Sequence, residues 1–272
     1  MKAKDWAINI WKREEKNWVN RQQDLNYREC LVHPALEKQL RGIRTNNGVF
    51  VDLGCGDGTE TRFLKRVLEK KGFNQFYGFD INNGFIKKAQ DSGKINKGIV
   101  FDCGELSDLI KKYELYERAD LATSLFVMQD EPNCKGLIAA MQNYIKRKGV
   151  LLAVTVHPQF AEQLARKDAL KIDNEVEKSK KDDYLYAAKY PITEAGRSPF
   201  YVTYFQRALS DYVRMLEKHF HIEEIKGLKP SKQLLAIAEK GKIAPFFEEK
   251  HNVYWPKIAE ISSTVIIKGV KK

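Results

Sequence analysis

The stretch Val49 to Thr61, reading V-F-V-D-L-G-C-G-D-G-T-E-T, constrains the fold of this chain more than any other. Val49, Phe50 and Val51 are the β-branched and aromatic residues that a buried strand takes. Gly54, Gly56 and Gly58 follow, alternating with Cys55 and Asp57. From Thr59 to Lys70 the apolar residues Phe63, Leu64, Val67 and Leu68 recur at helical spacing. The order is therefore strand, glycine-rich turn, helix. Glycines free the backbone for positive φ and for close approach by a ligand, and a helix start offers unpaired N–H groups. Together they place a nucleotide-type site at the carboxyl end of a strand.

The spacing selects among nucleotides. A dinucleotide fingerprint is G-x-G-x-x-G, whose third glycine packs helix on strand. Here the run is G-x-G-x-G, and Thr59 stands where that third glycine belongs. Asp52, on the strand just before the glycines, would repel a pyrophosphate and suits a ligand carrying an ammonium group. An ordinary glycine turn with a capping Asp is the alternative reading. Asp52 with Gly54-x-Gly56-x-Gly58 resembles the first motif of class I S-adenosylmethionine (SAM) methyltransferases. The resemblance implies an α/β fold: a Rossmann-like, seven-stranded, mostly parallel sheet with helices on both faces and an antiparallel last strand. It also implies SAM as cofactor. Asp52 would reach the methionine amine, directly or through water, with Leu53, Gly54, Cys55 and Gly56 beneath the cofactor.

Further motifs follow in order. Gln75 to Ile81 reads as a second strand ending in Asp80, about 20 residues past the glycines, where an acid takes ribose hydroxyls. Ile81 would lie against the adenine. Alternatively, Asp80 caps the helix that starts at Asn83. Gly98 to Phe101 is a third strand, followed by Asp102-Cys103-Gly104. The resemblance implies that Asp102 meets the adenine amine and the Cys103 N–H a ring nitrogen, with Gly104 beside them. Ala119 to Phe126 is the fourth strand, and Ser124, Leu125 and Phe126 would border the transferable methyl, with Gln129 toward the acceptor. The sequence there is neither Asn-Pro-Pro-Tyr nor Asp-Pro-Pro-Tyr, which argues against the exocyclic-amine methylases. It also offers no Pro-Cys thiolate of the cytosine-C5 kind.

Trp6, Ile10, Trp11 and Trp18 mark an amino-terminal helix over residues 3–20, and Pro34 opens a second over Ala35 to Leu40. This pair resembles the cap that many small-molecule methyltransferases fold over SAM. Tyr27 and Arg28 would then reach the cofactor carboxylate, with Tyr27 also toward the acceptor. Alternatively, Arg28 pairs with a surface acid and His33 caps the helix. Lys135 to Arg147 reads as a helix and Gly149 to Val156 as a buried parallel strand. His157, at the end of that strand, is the candidate general base, or a strand-end His held by backbone.

Residues 157–207 form an insertion, charged in its first half and aromatic in its second. A connection of that length is usually a lid or binding element. Tyr201 and Tyr204 are its candidates for the acceptor pocket, unless the aromatics are the lid's own small core. A helix over Ala208 to His219 and strands over Phe220 to Leu228 and Ile261 to Gly269 complete the sheet. The expected organisation is a helical cap (1–44), a SAM-binding core (45–156), the lid (157–207) and the rest of the sheet (208–272).

Lys and Arg outnumber Asp and Glu by 47 to 36, a formal charge of +11. That balance could favour nucleic acid, anionic membrane or an acidic substrate. It is spread along the chain, and Lys146 to Lys148 and Lys178 to Lys181 read as solvated helix faces. The four cysteines form no C-x-x-C pair, so no zinc site and no disulfide framework is suggested. No signal-peptide core opens the chain, and no apolar run approaches the roughly 20 residues that span a bilayer. The expectation is a soluble cytoplasmic enzyme with no membrane partner, methylating a small molecule at O, N or C. A methyltransferase of RNA or protein is the alternative, and a catalytically silent SAM-binding module a third.

Overall fold

The structure is a computed structural model and describes residues 3–21, 28–91, 97–159, 187–192, 200–205, 207–229 and 262–272. The chain opens with α1 (Ala3–Arg21), a π-helical turn (Arg28–Val32) and α2 (His33–Gln39). Strands and helices then alternate: β1 (Gly48–Leu53), α3 (Thr59–Glu69), β2 (Phe73–Asp80), α4 (Asn83–Asp91), β3 (Ile99–Cys103), α5 (Leu106–Lys112), β4 (Ala119–Leu125), α6 (Cys134–Tyr144) and β5 (Ile145–Val156). A hairpin of β6 (Ala187–Ile192) and β7 (Phe200–Phe205) precedes α7 (Leu209–Glu217), β8 (Phe220–Leu228) and β9 (Thr264–Lys271).

Seven strands form one sheet in the order β3-β2-β1-β4-β5-β9-β8. The first five are mutually parallel. β9, last in sequence, runs antiparallel to both of its neighbours. The fold expected from the sequence is thus the fold observed. Strand order reverses between β1 and β4, which opens a crevice at their carboxyl ends.

Both faces of the sheet are covered. Val49, Val51 and Leu53 of β1 pack with Ile110, Ile138, Met141 and Leu216 of α5, α6 and α7. Phe50, one residue out of phase, packs on the other face with Leu36, Leu64 and Leu68. The period of two along β1 therefore persists although every residue is buried. Each large apolar side chain so covered contributes about 1.5–3 kcal/mol.

Two local features depart from the sequence expectation. Helix α5 was not anticipated; it is short, and only Leu109 and Ile110 turn fully inward. The helix expected to run to Arg147 stops at Tyr144, and β5 begins at Ile145. Ile145 is fully buried and pairs with Ala119. Its carbonyl accepts the Lys271 ammonium at 2.8 Å. Lys146, Arg147 and Lys148 are exposed on the strand's first residues, not on a helix face, and Lys148 takes φ 63°.

The β6–β7 hairpin stands apart from the main sheet. Its foot is joined to the core where the Phe205 N–H donates to the Gln129 carbonyl at 2.8 Å. Helix α1 packs against β7. The charged helix expected in the first half of the insertion lies outside the described residues. Among the described residues no helix is long and apolar enough to cross a membrane.

Candidate active site

The glycine loop is tied down from beneath. Gly54 and Cys55 donate their N–H groups to the Phe79 carbonyl at 2.7 and 2.9 Å, and Gly56 donates to Asp80 Oδ2 at 2.8 Å. All three glycines take positive φ, at 84°, 54° and 78°. They differ in what lies above them. A Cβ on Gly54 would meet Val127 Cγ2 at 2.3 Å, and one on Gly58 would meet the Phe101 ring at 2.6 Å. One on Gly56 would meet nothing within 4 Å. Gly54 and Gly58 are thus packing glycines, and Gly56 presents bare backbone to open space.

Asp52 lies at the floor of this crevice, 1% exposed. Its two oxygens accept the Thr61 and Thr123 hydroxyls, each at 2.7 Å. Burial pushes its carboxyl up to about 6, against those two hydrogen bonds. Asp52 is therefore engaged by protein on both oxygens, one threonine coming from α3 and one from β4. Leu53 is fully buried in the core below.

Asp80, Ile81, Cys103 and Gly104 meet at the ends of β2 and β3. Asp80 accepts the Asn82 N–H at 2.8 Å besides that of Gly56. Burial raises its carboxyl while these backbone bonds hold it down. The Gly104 N–H donates to the Asp80 carbonyl at 3.0 Å, and the Cys103 thiol to the Ile81 carbonyl at 3.4 Å. Among the described residues, Ile81 is one of four large apolar side chains left exposed, at 40%. Asp102 turns toward α5, accepting Lys112 Nζ at 2.6 Å and the Tyr113 hydroxyl at 2.8 Å. These bonds outweigh its slight burial and lower its carboxyl. Burial pushes the Cys55 and Cys103 thiols up, away from thiolate chemistry.

At the end of β4, Ser124 and Leu125 are buried, and the Ser124 hydroxyl has no hydrogen-bond partner in the structure. Phe126 takes φ 60°, a left-handed conformation that costs a non-glycine residue about 1–2 kcal/mol. The Arg28 guanidinium lies 5.0 Å from the centroid of its ring. Arg28 Nη1 also approaches Glu60 Oε1 at 3.6 Å, while Glu60 Oε2 and His33 Nε2 are 2.5 Å apart. The His33 ring stacks on Phe63 at 3.8 Å. Glu60 is 6% exposed. Burial works to raise its carboxyl, but His33 and Arg28 outweigh it and the net shift is downward.

The remaining expected residues lie around this centre. Gln129 Oε1 accepts the Thr155 hydroxyl at 2.8 Å and the Val156 N–H at 2.9 Å, clasping the loop after β4 to the end of β5. His157 donates its backbone N–H to the Ser263 carbonyl at 2.9 Å, and its Nδ1 accepts the Gln159 N–H at 3.3 Å. Burial lowers the imidazole, so the ring is neutral near pH 7. Tyr204 is buried on β7. Tyr27 and the Tyr201 side chain lie outside the described residues.

Arg207, which no sequence pattern marked, is fully buried where the hairpin leaves the core. It donates to the carbonyls of Met128 (3.3 Å), Phe205 (3.4 Å), Glu131 (2.8 Å) and Pro132 (2.8 Å). Glu60, Thr61 and Thr123 were also missed, and His33, weighed as a helix cap, instead turns its ring to Glu60, while the cap position of α2 is Val32 and carries no side-chain hydrogen bond. Only Thr61 and Glu60 carried a signal, as polar residues in the first turn of the helix after the glycines.

A family model described as a methyltransferase domain matches residues 44–226, well over half of the chain. The chain belongs to the class I SAM-dependent methyltransferase family. SAM is the cofactor of that family. Solved structures share the fold at low identity. A SAM-dependent methyltransferase from Mesorhizobium loti is 18% identical, with 88% of this chain and 96% of that one covered and a TM-score of 0.54. A complex between a Haloferax volcanii methyltransferase activator and a methyltransferase matches at 14% identity, 97% and 96% coverage and a TM-score of 0.60. Geranyl diphosphate C-methyltransferase from Streptomyces coelicolor A3(2) matches at 11% identity, 88% and 79% coverage and a TM-score of 0.53. A search of curated proteins finds no match.

The residues present fit the cofactor. Open space stands over the Gly56 backbone, an acid ends β2, and an exposed apolar side chain, Ile81, lies beside it. A buried hydroxyl without a partner, that of Ser124, stands near the end of β4.

Proposed function

We propose that this methyltransferase acts on a small-molecule acceptor, taken between the amino-terminal helices and the β6–β7 hairpin. The observation that carries methyl transfer from SAM is the bare Gly56 backbone between two packed glycines, its N–H bonded to Asp80 at the end of β2. The packing of α1 against both β7 and α4 supports enclosure, because it joins the amino-terminal helix to the hairpin and to the helix that follows β2. The matched Streptomyces enzyme bears the name of a small-molecule acceptor, geranyl diphosphate. In this reading residues 1–44 are the cap, 45–156 the cofactor core, 157–207 the lid and 208–272 the rest of the sheet.

Asp80 would hold the ribose hydroxyls, with Ile81 against the adenine and Asp102, Cys103 and Gly104 at its edge. Leu53, Gly54, Cys55 and Gly56 would underlie the ligand. Asp52 would favour its ammonium from below, and Arg28 its carboxylate. Ser124, Leu125 and Phe126 would flank the methyl. Bound there, SAM supplies a methyl carbon on a positively charged sulfur, open to displacement by an acceptor atom in line. The protein's task is then to orient the acceptor and exclude water, and orientation can supply up to about 7–11 kcal/mol. A base is needed only where the acceptor loses a proton. His157 is proposed for it, being neutral near pH 7, provided the ring gives up the Gln159 N–H. Gln129, Tyr201, Tyr204 and Tyr27 remain proposed as acceptor contacts.

Titration calorimetry with SAM and with NAD tests the cofactor, and single-turnover methyl transfer to a panel of small acceptors tests the reaction. SAM should bind and NAD should not. Tight NAD binding without SAM binding would overturn the reading, and SAM binding without transfer to any acceptor class would favour a silent module. The formal charge of +11 favours a second reading, methylation of RNA. That reading requires RNA retention at low salt, falling steeply as salt rises.

A further inference from the structure

The reversal of strand order between β1 and β4 divides the crevice in two. On the β2 side stand Asp80 and Ile81, the acid and the apolar surface suited to a ribose and its base. On the β4 side stand Phe126 and, 5.0 Å from its ring, the Arg28 guanidinium. A nucleoside ligand with an amino-acid tail, seated with its ribose at Asp80, would have Arg28 as the cation for that tail on the other side of the crevice. The cation is not left to find its own place. Glu60, in the first turn of α3, approaches it at 3.6 Å and is itself held by His33 at 2.5 Å. His33 is in turn fixed by stacking on Phe63, from the same helix as Glu60.

Three elements therefore meet at one buried carboxylate: the π-helical turn carrying Arg28, the start of α2 carrying His33, and α3, which grows out of the glycine loop. An arginine side chain free in solution samples many rotamers, and a fixed carboxylate beside its guanidinium favours those that keep the charge near it. Both oxygens of Glu60 are turned to protein, Oε1 to Arg28 and Oε2 to His33, and 8% of its side chain is accessible against 18% of that of Arg28.

We propose that Glu60 is a positioning residue for Arg28, fixing its guanidinium over Phe126 so that it faces the carboxylate of the cofactor's amino-acid tail. The inference rests on the SAM-binding reading. It adds to that reading a residue outside the glycine motif and a stated part of the ligand on which it acts.

Two ligands separate this role from a general one. S-adenosylhomocysteine carries the amino-acid tail, and methylthioadenosine is the same nucleoside thioether without it. Calorimetry on the full chain should show Glu60→Gln binding S-adenosylhomocysteine about tenfold more weakly, the scale of one charge-assisted contact, with methylthioadenosine unchanged. Arg28→Met should do the same. In the Arg28→Met background, Glu60→Gln should add nothing, because it acts through the side chain already removed. Glu60→Asp, which keeps the charge, should recover part of the loss.

Equal weakening of both ligands, no weakening of either, or full additivity of the two substitutions would overturn the positioning role while leaving the cofactor reading intact. Failure of the wild-type chain to bind S-adenosylhomocysteine would overturn both. Should Glu60→Gln fold poorly, the Arg28→Met and Glu60→Asp comparison with the two ligands carries the same test.

Discussion

Asp52 carries a titration with a definite sign. Its carboxyl stands at about 6 in the folded protein against an ordinary 3.8, because burial opposes its charge. Between those values the folded state holds a proton that the unfolded chain has lost, so stability falls as pH rises through that window. Asp52→Asn cannot ionise. It should be more stable than wild type by roughly 1–3 kcal/mol at pH 8 and by nothing at pH 4, measured by urea unfolding. An equal gain at both pH values would assign the effect to packing.

The glycines separate in the same way, residue by residue. Gly54→Ala combines φ +84° with a 2.3 Å clash on Val127 and should cost roughly 2–4 kcal/mol of stability. Gly56→Ala should cost only about 1 kcal/mol, since nothing stands within 4 Å. It should nevertheless weaken S-adenosylhomocysteine binding by about tenfold or more, because the added methyl enters the space the ligand needs. Thermal melting and calorimetry on both variants would show whether stability and affinity divide as expected.

Elements carry what single residues cannot. Helix α1 reaches α4 where Glu15 lies against Gly84: a Cβ there would stand 1.6 Å from Glu15 Oε2. Trp11 meets Phe85 at 6.2 Å, and Lys4 pairs with Glu105 at 2.6 Å. Gly84→Ala should therefore loosen α1 from the core, and the double variant Gly84→Ala, Glu15→Ala should restore it. Amide exchange along α1 would record both changes, and unchanged protection in the single variant would show that the Glu15 carboxylate swings aside freely.

The strand, glycine turn and helix at residues 48–69 were legible because their conformations are written locally, in β-branched residues, glycines and a helical stripe. The start of β5 was not. Lys146 to Lys148 extend a helical pattern on paper, and only the pairing of Ile145 with Ala119 and its carbonyl's bond to Lys271 end it. The site shows the same division. Asp52 and Asp80 announce themselves by their distance from the glycines. The partners that hold the site do not: Thr123 lies 71 positions from Asp52, and His33 lies 27 from Glu60. Such pairs exist only once the sheet has brought them together.

For the molecule as a whole, ligand and fold are linked. A ligand that binds only the folded state at a hundred times its dissociation constant adds about 2.7 kcal/mol. S-adenosylhomocysteine should therefore raise the melting temperature by several degrees, at roughly 2–4 °C per kcal/mol for a chain of this size. NAD at the same concentration should leave it unmoved. A melting point indifferent to S-adenosylhomocysteine would remove the cofactor from the crevice.

The Arg207 clasp has a mechanical consequence. Its guanidinium is gripped by four main-chain oxygens, from Met128, Phe205, Glu131 and Pro132. Amide oxygens do not titrate at physiological pH, and burial shields this cation from dissolved ions. Pulling it out would strand all four acceptors at once. The described strands of the hairpin are therefore rooted by a joint that acid and brine leave alone.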